Sequence, residues 1–289
     1  MIFKHNDLDD LERLLRKTKG KYEKVFVVTE GVFSMEGDIP DLQRLVKICW
    51  KFKAFIIIDD CHGVGILGKT GWGALEHCGL TVNDIDLLIS TLGKGLGGGS
   101  GGYCAGKFEV IKFLNQRSRS YIFSSTLGPG VVNGAWWCIK YIKDHPEMFD
   151  NHQVLIKRFW YGMKAAGFEV MGDDETAVCP VFIRDDAFVV RIVNWLFERG
   201  LYSVAIAYPV VPVGTARIWM IVQAGHTIEQ IDKCIKMFKE VAEELGYFEF
   251  MKTYNPKKNL LTSEIWKYKI KVALKSLFVP VDFSGLTPS

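Results

Sequence analysis

The stretch Phe55-Ile56-Ile57-Ile58-Asp59-Asp60-Cys61-His62 decides the fold class of this chain. Its run of β-branched apolar residues predicts a buried strand, and the acidic pair marks the point where that strand ends. Similar short apolar runs occur before it, at Val25 to Val28, and after it, at Leu87 to Ile89. Strands that are apolar throughout are typical of parallel sheets covered on both faces.

Helical patterns separate these strands. Asn6 is positioned to cap a first helix that Gly20 would end, and a second helix is predicted from Asp41 to Lys51. Further helices are predicted from about Glu109 to Gln116 and through Trp136 to Ile142. Alternating helices and strands predict an α/β fold with a mainly parallel sheet, which we assign to residues 1–145 as a large domain.

The pattern changes after His145-Pro146. Strands near Val178 to Ile183 and Arg217 to Val222 frame a helix, and a final helix opens with the capping box Thr227-x-x-Gln230. This predicts a small α+β domain at residues 146–249. Residues 250–289 form a Lys-rich tail, in which a helix could begin at Thr262 or Ser263.

Composition excludes several function classes. The net charge is only +3, with basic residues mostly interspersed among acids, so nucleic acid is not an expected partner. Seven cysteines form no CxxC pair and leave one unpaired, which predicts neither a metal site nor a disulfide framework. We see no targeting segment, and no apolar run approaches the roughly 20 residues that span a bilayer. The chain is therefore predicted to be a cytoplasmic or mitochondrial-matrix protein with no membrane partner.

Polar residues follow each of the three predicted strands. Thr29-Glu30 precedes Ser34, Asp59-Asp60 precedes His62, and Ser90-Thr91 precedes Lys94. Ligands of open α/β sheets bind at the carboxyl ends of the strands, so these three tips could converge on one site.

The residue types at the tips match the needs of pyridoxal phosphate. That cofactor requires an amine for a Schiff base, a carboxylate at the pyridinium nitrogen and donors for the phosphate. Lys94 supplies the amine, Asp59 the carboxylate, and Thr91 with the amides of Gly93 to Gly98 the phosphate donors. His62 could contact the phenolic oxygen or transfer a proton. Each feature alone has an ordinary explanation, such as an exposed turn lysine or a strand-end cap, and only their combination indicates the cofactor.

Three motifs carry a resemblance to a known family: Gly31-Val32-Phe33-Ser34-Met35-Glu36-Gly37-Asp38, Asp59-Asp60-Cys61-His62-Gly63-Val64-Gly65 and Thr91-Leu92-Gly93-Lys94-Gly95-Leu96-Gly97-Gly98. Together they resemble the α-oxoamine synthases, pyridoxal-phosphate enzymes of fold type I. The resemblance implies catalytic roles for Lys94 and His62, and a cofactor contact for Ser34. It also implies that Ser124 and Ser125 bind the phosphate of a neighbouring subunit's cofactor, and hence a homodimer.

Further motifs, including Gln116-Arg117-Ser118-Arg119 and Tyr208-Pro209-Val210-Val211-Pro212, most resemble the branch that condenses glycine with acetyl-CoA. The resemblance therefore implies a product of 2-amino-3-ketobutyrate and CoA. A different branch, of the 8-amino-7-oxononanoate synthase type, is the alternative within the family.

Two departures from the family bear on activity. Members carry an upstream segment with a histidine that stacks on the cofactor, and this chain starts after it, so we expect a truncated member. Trp219 stands where the family has a carboxylate-binding arginine; Arg217 could substitute, although we expect its side chain to face the other way. A catalytically impaired chain that acts as a partner subunit, or that has no function, is thus a further alternative.

Overall fold

Two sheets organise the chain in the computed structural model, which describes residues 1–255. The strands of the first sheet are, in spatial order, β1 (Phe26–Glu30), β2 (Phe55–Asp59), β3 (Leu87–Thr91) and β4 (Gly102–Gly106). The first three are parallel, and β4 runs antiparallel to β3. The predicted α/β class with a mainly parallel sheet is confirmed. Strand β4 was not predicted, because its short stretch begins and ends in glycine and lacks a run of β-branched or aliphatic residues.

The helices of this first part are α1 (Leu8–Thr18), α2 (Leu42–Phe52), α3 (Ala74–His77), α4 (Phe108–Arg117), α5 (Arg119–Ile122) and α6 (Pro129–Asp144). The prediction that Asn6 caps α1 is wrong. Asp7 is the cap, because its carboxylate accepts a hydrogen bond from the backbone of Asp10 at 2.9 Å. The amide of Asn6 instead donates to Asp38 at 2.6 Å.

The first sheet is covered on one face, and on the other face its edge at β1 is exposed. Val27, Ile56 and Ile58 are buried in a core shared with α1 and α2. On the opposite face Phe26 is 57% exposed and Val28 is 58% exposed. Parallel sheets are normally covered on both faces, so this apolar surface is unusual for the described residues taken alone.

A second sheet follows, with β5 (Glu169–Val170), β6 (Val181–Arg184), β7 (Val204–Ile206) and β8 (Ala216–Trp219) in the order β5-β6-β8-β7, all antiparallel. Its helices are α7 (Glu147–Ala165), α8 (Asp186–Glu198), α9 (Ile228–Glu244) and α10 (Tyr247–Thr253). The predicted capping box opens α9, where Thr227 and Gln230 satisfy each other's backbone amides. Helices α7 and α10 were not predicted from the sequence. The predicted domain boundary at residue 249 falls inside α10. The predicted tail helix lies outside the described residues.

The loop after β1 joins the two parts of the chain. Gly37 accepts a hydrogen bond from the hydroxyl of Thr176 at 2.8 Å, and the backbone of Ile39 donates to Asp173 at 2.7 Å. Gly37 has a φ of 75°, and a Cβ there would lie 2.3 Å from the carbonyl oxygen of Val178, so only glycine fits. This contact holds the loop that contains Ser34 close to the second sheet.

No helix among residues 1–255 has both the length and the apolar character needed to cross a bilayer.

Candidate active site

The ends of the first three strands meet at one edge of the sheet, as predicted. Glu30 lies beside Asp59 in the register of β1 and β2, and Asp59 lies beside Ile89 in that of β2 and β3. Backbone hydrogen bonds continue past the strands, from Gly31 to Asp59 at 2.7 Å and from Asp60 to Ile89 at 2.8 Å. The loops that carry Ser34, His62 and Lys94 therefore leave the sheet side by side.

Lys94 and His62 are in direct contact. Nζ of Lys94 lies 2.9 Å from Nε2 of His62, and both side chains line a cavity of about 450 Å³. Burial lowers the pKa of His62 to about 4, with the neighbouring charge of Lys94 as the second cause. The imidazole is therefore neutral near pH 7, so its Nε2 accepts the hydrogen bond from Lys94 and its Nδ1 carries the proton.

Glycine allows the two loops to pack directly against each other. A Cβ on Gly95 would lie 2.4 Å from the carbonyl oxygen of Val64, and a Cβ on Gly65 would lie 2.5 Å from the carbonyl carbon of Gly95. Real side chains do not tolerate such distances, so these glycines permit the contact between Lys94 and His62.

Asp59 lies at the end of β2, next to this pair. Its Oδ1 accepts a hydrogen bond from the backbone of Cys61 at 3.0 Å. Burial and this neighbouring carboxylate together raise the pKa of the Cys61 thiol to about 12, so Cys61 is a neutral thiol. The charge of Asp59 also acts on His62, where it partly opposes the effects of burial and of Lys94. Asp59 thus lies next to Cys61 and His62, which line the cavity.

Thr91 holds the glycine-rich loop in shape. Its hydroxyl donates to the carbonyl oxygen of Gly101 at 3.0 Å and accepts from the amide of Gly93 at 3.2 Å. Gly98 closes the loop by donating to the carbonyl oxygen of Leu92 at 2.7 Å. The loop is compact, and Thr91 would have to exchange its present partner to donate to a phosphate.

The three predicted serines occupy different surroundings. Ser34 is half-buried, and its amide donates to the side chain of Glu30 at 2.9 Å. Ser124 and Ser125 are exposed after α5, and neither lines the cavity. Their role toward a second subunit therefore remains a prediction.

Trp219 forms part of the cavity wall beside His62. Its indole Nε1 donates to the carbonyl oxygen of Ser34 at 2.9 Å, and its ring meets that of His62 edge-on, with 6.2 Å between the ring centroids. The indole has a single donor, and Ser34 occupies it.

Arg217 is buried, with 3% of its surface exposed, and points toward the same loop as Trp219. Its Nη1 donates to the carbonyl oxygen of Met35 at 2.9 Å and to Glu36 at 3.1 Å. Our expectation that Arg217 faces the other way is wrong, because residues two apart on a strand share a face. Arg217 is also absent from the cavity lining, so it does not stand in as a carboxylate ligand there.

Asp60 belongs to this arrangement, although the sequence pattern assigned it no role. The side chain is fully buried, its Oδ2 accepts from the amide of Ala74 at 2.8 Å, and its Oδ1 has no hydrogen-bond partner among the described residues. Gly31, Gly63 and Gly73 surround it so closely that a Cβ on any of them would lie 2.0–2.3 Å from a carboxyl oxygen. Burial raises the pKa of Asp60 to about 7. In the sequence, Gly31 and Gly63, which follow the ends of β1 and β2, were the signal that could have pointed to Asp60.

Known proteins with similar sequences show the family of this chain. The model of the family described as aminotransferase class I and II matches residues 2–238. The 8-amino-7-oxononanoate synthase of Treponema denticola is 38% identical over 245 residues, which cover 85% of this chain and 61% of that protein. The mitochondrial 2-amino-3-ketobutyrate coenzyme A ligase of the mouse is 37% identical over 244 residues, which cover 84% of this chain and 58% of that protein.

Solved structures of similar fold match this chain over a similar share of its length. The serine palmitoyltransferase of Sphingomonas wittichii superposes with a TM-score of 0.79 at 30% identity, covering 84% of this chain and 61% of that one. Another such structure, with a TM-score of 0.80 at 29% identity, covers 85% of this chain and 61% of that one, and it contains pyridoxal phosphate as an internal aldimine.

The chain belongs to the aminotransferase class I and II family, and within it to the α-oxoamine synthases that its motifs resemble. It spans about 61% of the length of the bacterial relatives that it matches. These findings support pyridoxal phosphate as the cofactor and confirm the predicted fold.

Proposed function

We propose that this chain carries the lysine site of a pyridoxal-phosphate-dependent C-acyltransferase of the α-oxoamine synthase type. The observation that carries the proposal is the 2.9 Å contact between Nζ of Lys94 and neutral His62 at the wall of the cavity. The carboxyl group of Asp59 lies close to this pair, at the end of β2. The amine and the carboxylate are two of the three groups that the cofactor requires, and the imidazole lies within hydrogen-bond distance of the amine.

In this proposal each residue has a distinct role toward the cofactor. When bound, pyridoxal phosphate supplies an electron sink for negative charge on a substrate carbon. Lys94 would hold it covalently, Asp59 would pair with its ring nitrogen, and Ser34 and His62 would contact its phenolic oxygen. Thr91 and the amides of the glycine loop would bind the phosphate.

Proton transfer falls to Lys94. Its Nζ already donates a hydrogen bond to His62, so the amine is oriented along one cavity wall. A free Lys94 amine there can take a proton from a substrate carbon and hold it at Nζ. Neutral His62 can keep this amine in position without adding a second positive charge.

Within this class we propose glycine and acetyl-CoA as substrates, with 2-amino-3-ketobutyrate and CoA as products. The names of the mouse and Escherichia coli relatives support this pair, at 37% and 36% identity. The alternative is the 8-amino-7-oxononanoate synthase reaction, which the Treponema denticola relative supports at 38% identity. We also propose a homodimer, in which Ser124 and Ser125 serve the neighbouring cofactor. The expected location is the cytoplasm or the mitochondrial matrix.

Covalent trapping tests the cofactor site. The full chain is incubated with pyridoxal phosphate, reduced with borohydride and analysed by peptide mass spectrometry. We expect one cofactor per chain on the peptide that contains Lys94, no such adduct in Lys94→Ala, and full labelling in the control Lys69→Ala, which alters an exposed loop lysine. Equal labelling of wild type and Lys94→Ala would refute the proposed site.

Thiol release tests the reaction. Glycine with acetyl-CoA should release free CoA from the reconstituted chain, and alanine or serine with longer acyl-CoA thioesters should release less. Faster release of CoA with another amino acid and acyl-CoA would assign the chain to a different branch of the family.

The exposed face of β1 supports a second candidate function, a catalytically silent partner subunit. Exposed Phe26 and Val28 are the kind of surface that another polypeptide covers. Cofactor trapping on Lys94 without thiol release from any substrate pair would favour this alternative.

A further inference from the structure

The cavity beside Lys94 is walled mainly by carbon. Its apolar lining includes Ile66, Ile142, Met148, Val178, Trp219 and Ile221. Among the lining residues in the described part of the chain, Lys94 contributes the sole ammonium group, and there is no guanidinium. The nitrogen of Lys94 is the atom that would bond the cofactor, so it is not available as a counter-ion for another group.

The two histidines of the lining do not supply positive charge either. Burial holds the pKa of His62 at about 4. Burial also lowers the pKa of His152, which is 3% exposed and lies 2.8 Å from the carbonyl oxygen of Val222. Both imidazoles are therefore neutral near pH 7, and the Nε2 of His152 is engaged by the backbone.

Trp219, the residue of β8 that meets the ring of His62, offers an anion neither a positive charge nor a free hydrogen-bond donor. Trp219 uses its single donor on Ser34, and the remainder of the indole presents carbon to the cavity. Arg217 is held at Met35 and Glu36. A carboxylate placed here would lose hydration without gaining an ion pair, which is unfavourable, and the neutral side-chain amide of Gln223 is the donor that the lining offers in place of a cation.

We propose that Trp219 determines the class of amine that this site accepts: the cavity recognises a primary amine by its nitrogen and carbon atoms and gains nothing from an α-carboxylate. An amine without a carboxylate is then bound at least as tightly as the amino acid with the same carbon skeleton. This inference rests on the proposed function, because the amine must reach a cofactor held at Lys94. Glycine remains a substrate, held without help from its carboxylate.

The binding step is an exchange of one amine for another. The nitrogen of the incoming amine forms a double bond to the cofactor carbon while the bond from that carbon to Nζ of Lys94 breaks. The two protons of the incoming amine pass to the released Lys94 amine, so atoms and charge balance. Each exchanged chain loses its covalent cofactor link, and borohydride then no longer attaches the cofactor to Lys94.

This loss provides a binding readout that does not depend on turnover. The reconstituted full chain is titrated with matched pairs, ethylamine against alanine and methylamine against glycine, then reduced and weighed as intact protein by mass spectrometry. The concentration that halves the covalent cofactor gives the apparent affinity. We expect each amine to match or exceed its amino acid. An amino acid that binds threefold or more tightly than its amine in wild type overturns the inference.

Two variants at position 219 test whether Trp219 sets the preference between amine and amino acid. Trp219→Arg places a planar cationic fork on the cavity wall and should shift the preference toward alanine by roughly tenfold or more, as expected for a new ion pair with a carboxylate. Trp219→Phe keeps the apolar wall and should keep the wild-type preference. If Trp219→Arg does not fold, wild type and Trp219→Phe still decide the question. Absence of any covalent cofactor in wild type would overturn the proposed function and this inference together, whereas trapping with amino-acid preference would overturn the inference alone.

Discussion

Replacement of Asp60 by asparagine should change how the stability of this protein depends on pH. The carboxyl is fully buried, and burial, aided by the charge of Asp59, raises its pKa from 3.8 to about 7. That rise corresponds to about 4 kcal/mol in favour of the neutral form. An asparagine side chain has a similar shape and cannot ionise, so Asp60→Asn removes this contribution.

The direction in which stability changes with pH follows from the protons that the folded and unfolded chains bind. Between pH 3.8 and 7 the folded chain binds a proton at Asp60 that the unfolded chain releases, so wild-type stability falls as pH rises through this window. The loss amounts to about 3 kcal/mol between pH 5 and pH 8. The variant carries a constant cost of about 1–3 kcal/mol, because its amide group lacks an acceptor at the position of Oδ1. Because part of the wild-type loss has already occurred at pH 5, Asp60→Asn should be close to wild type in stability at pH 5 and more stable than wild type at pH 8.

Urea unfolding followed by far-ultraviolet circular dichroism at pH 5, 6, 7 and 8 measures this difference. Asp144→Asn, which alters an exposed aspartate at the end of α6, controls for the change in net charge. A difference between wild type and Asp60→Asn that stays constant across the four pH values would refute the reasoning.

Three further changes have distinct expected outcomes. Arg217→Met should lower the free energy of unfolding by about 2–3 kcal/mol, because it removes a buried cation bonded to the loop at Glu36; a loss below about 0.5 kcal/mol in urea titration would contradict this contact. Thr227→Ala should cost about 1 kcal/mol through the lost cap of α9, with Thr227→Ser near wild type in the same assay. Phe26→Ser with Val28→Ser should reduce self-association in sedimentation velocity without lowering helix content, and unchanged association would show that the exposed face of β1 is not responsible.

Local pattern was sufficient for most of the first sheet. The strands β1, β2 and β3 are runs of apolar, mainly β-branched or aliphatic residues, and their burial follows from that composition. In contrast, β4 has the sequence Gly102 to Gly106 and exists because β3 offers an edge to pair with. Such a strand depends on tertiary context, which single-sequence periodicity does not contain.

In the candidate site, too, some contacts could be predicted from the sequence and others could not. Lys94 and His62 could be paired from sequence, because each follows a predicted parallel strand and such strands end at one edge of the sheet. The bonds from Trp219 to Ser34 and from Arg217 to Met35 join residues that are 185 and 182 positions apart. They depend on how the loop after β1 docks on the second sheet, and no local pattern encodes that docking. The error about the direction of Arg217 was of a different kind, since strand alternation, applied correctly, places it with Trp219.

Burial also changes which residue should sense pH at this site. A histidine beside a lysine in a cavity is ordinarily the first candidate for a transition near neutrality. Here burial moves the pKa of His62 to about 4, outside that range, and moves the pKa of Asp60 to about 7, into it. The carboxyl of Asp60 packs against Gly31 and Gly63, in the loops that carry Ser34 and His62, so its ionisation would strain both loops at once. A change in cofactor retention between pH 6 and 8 should therefore disappear in Asp60→Asn and persist in His62→Gln, and the reverse pattern would assign the transition to the histidine.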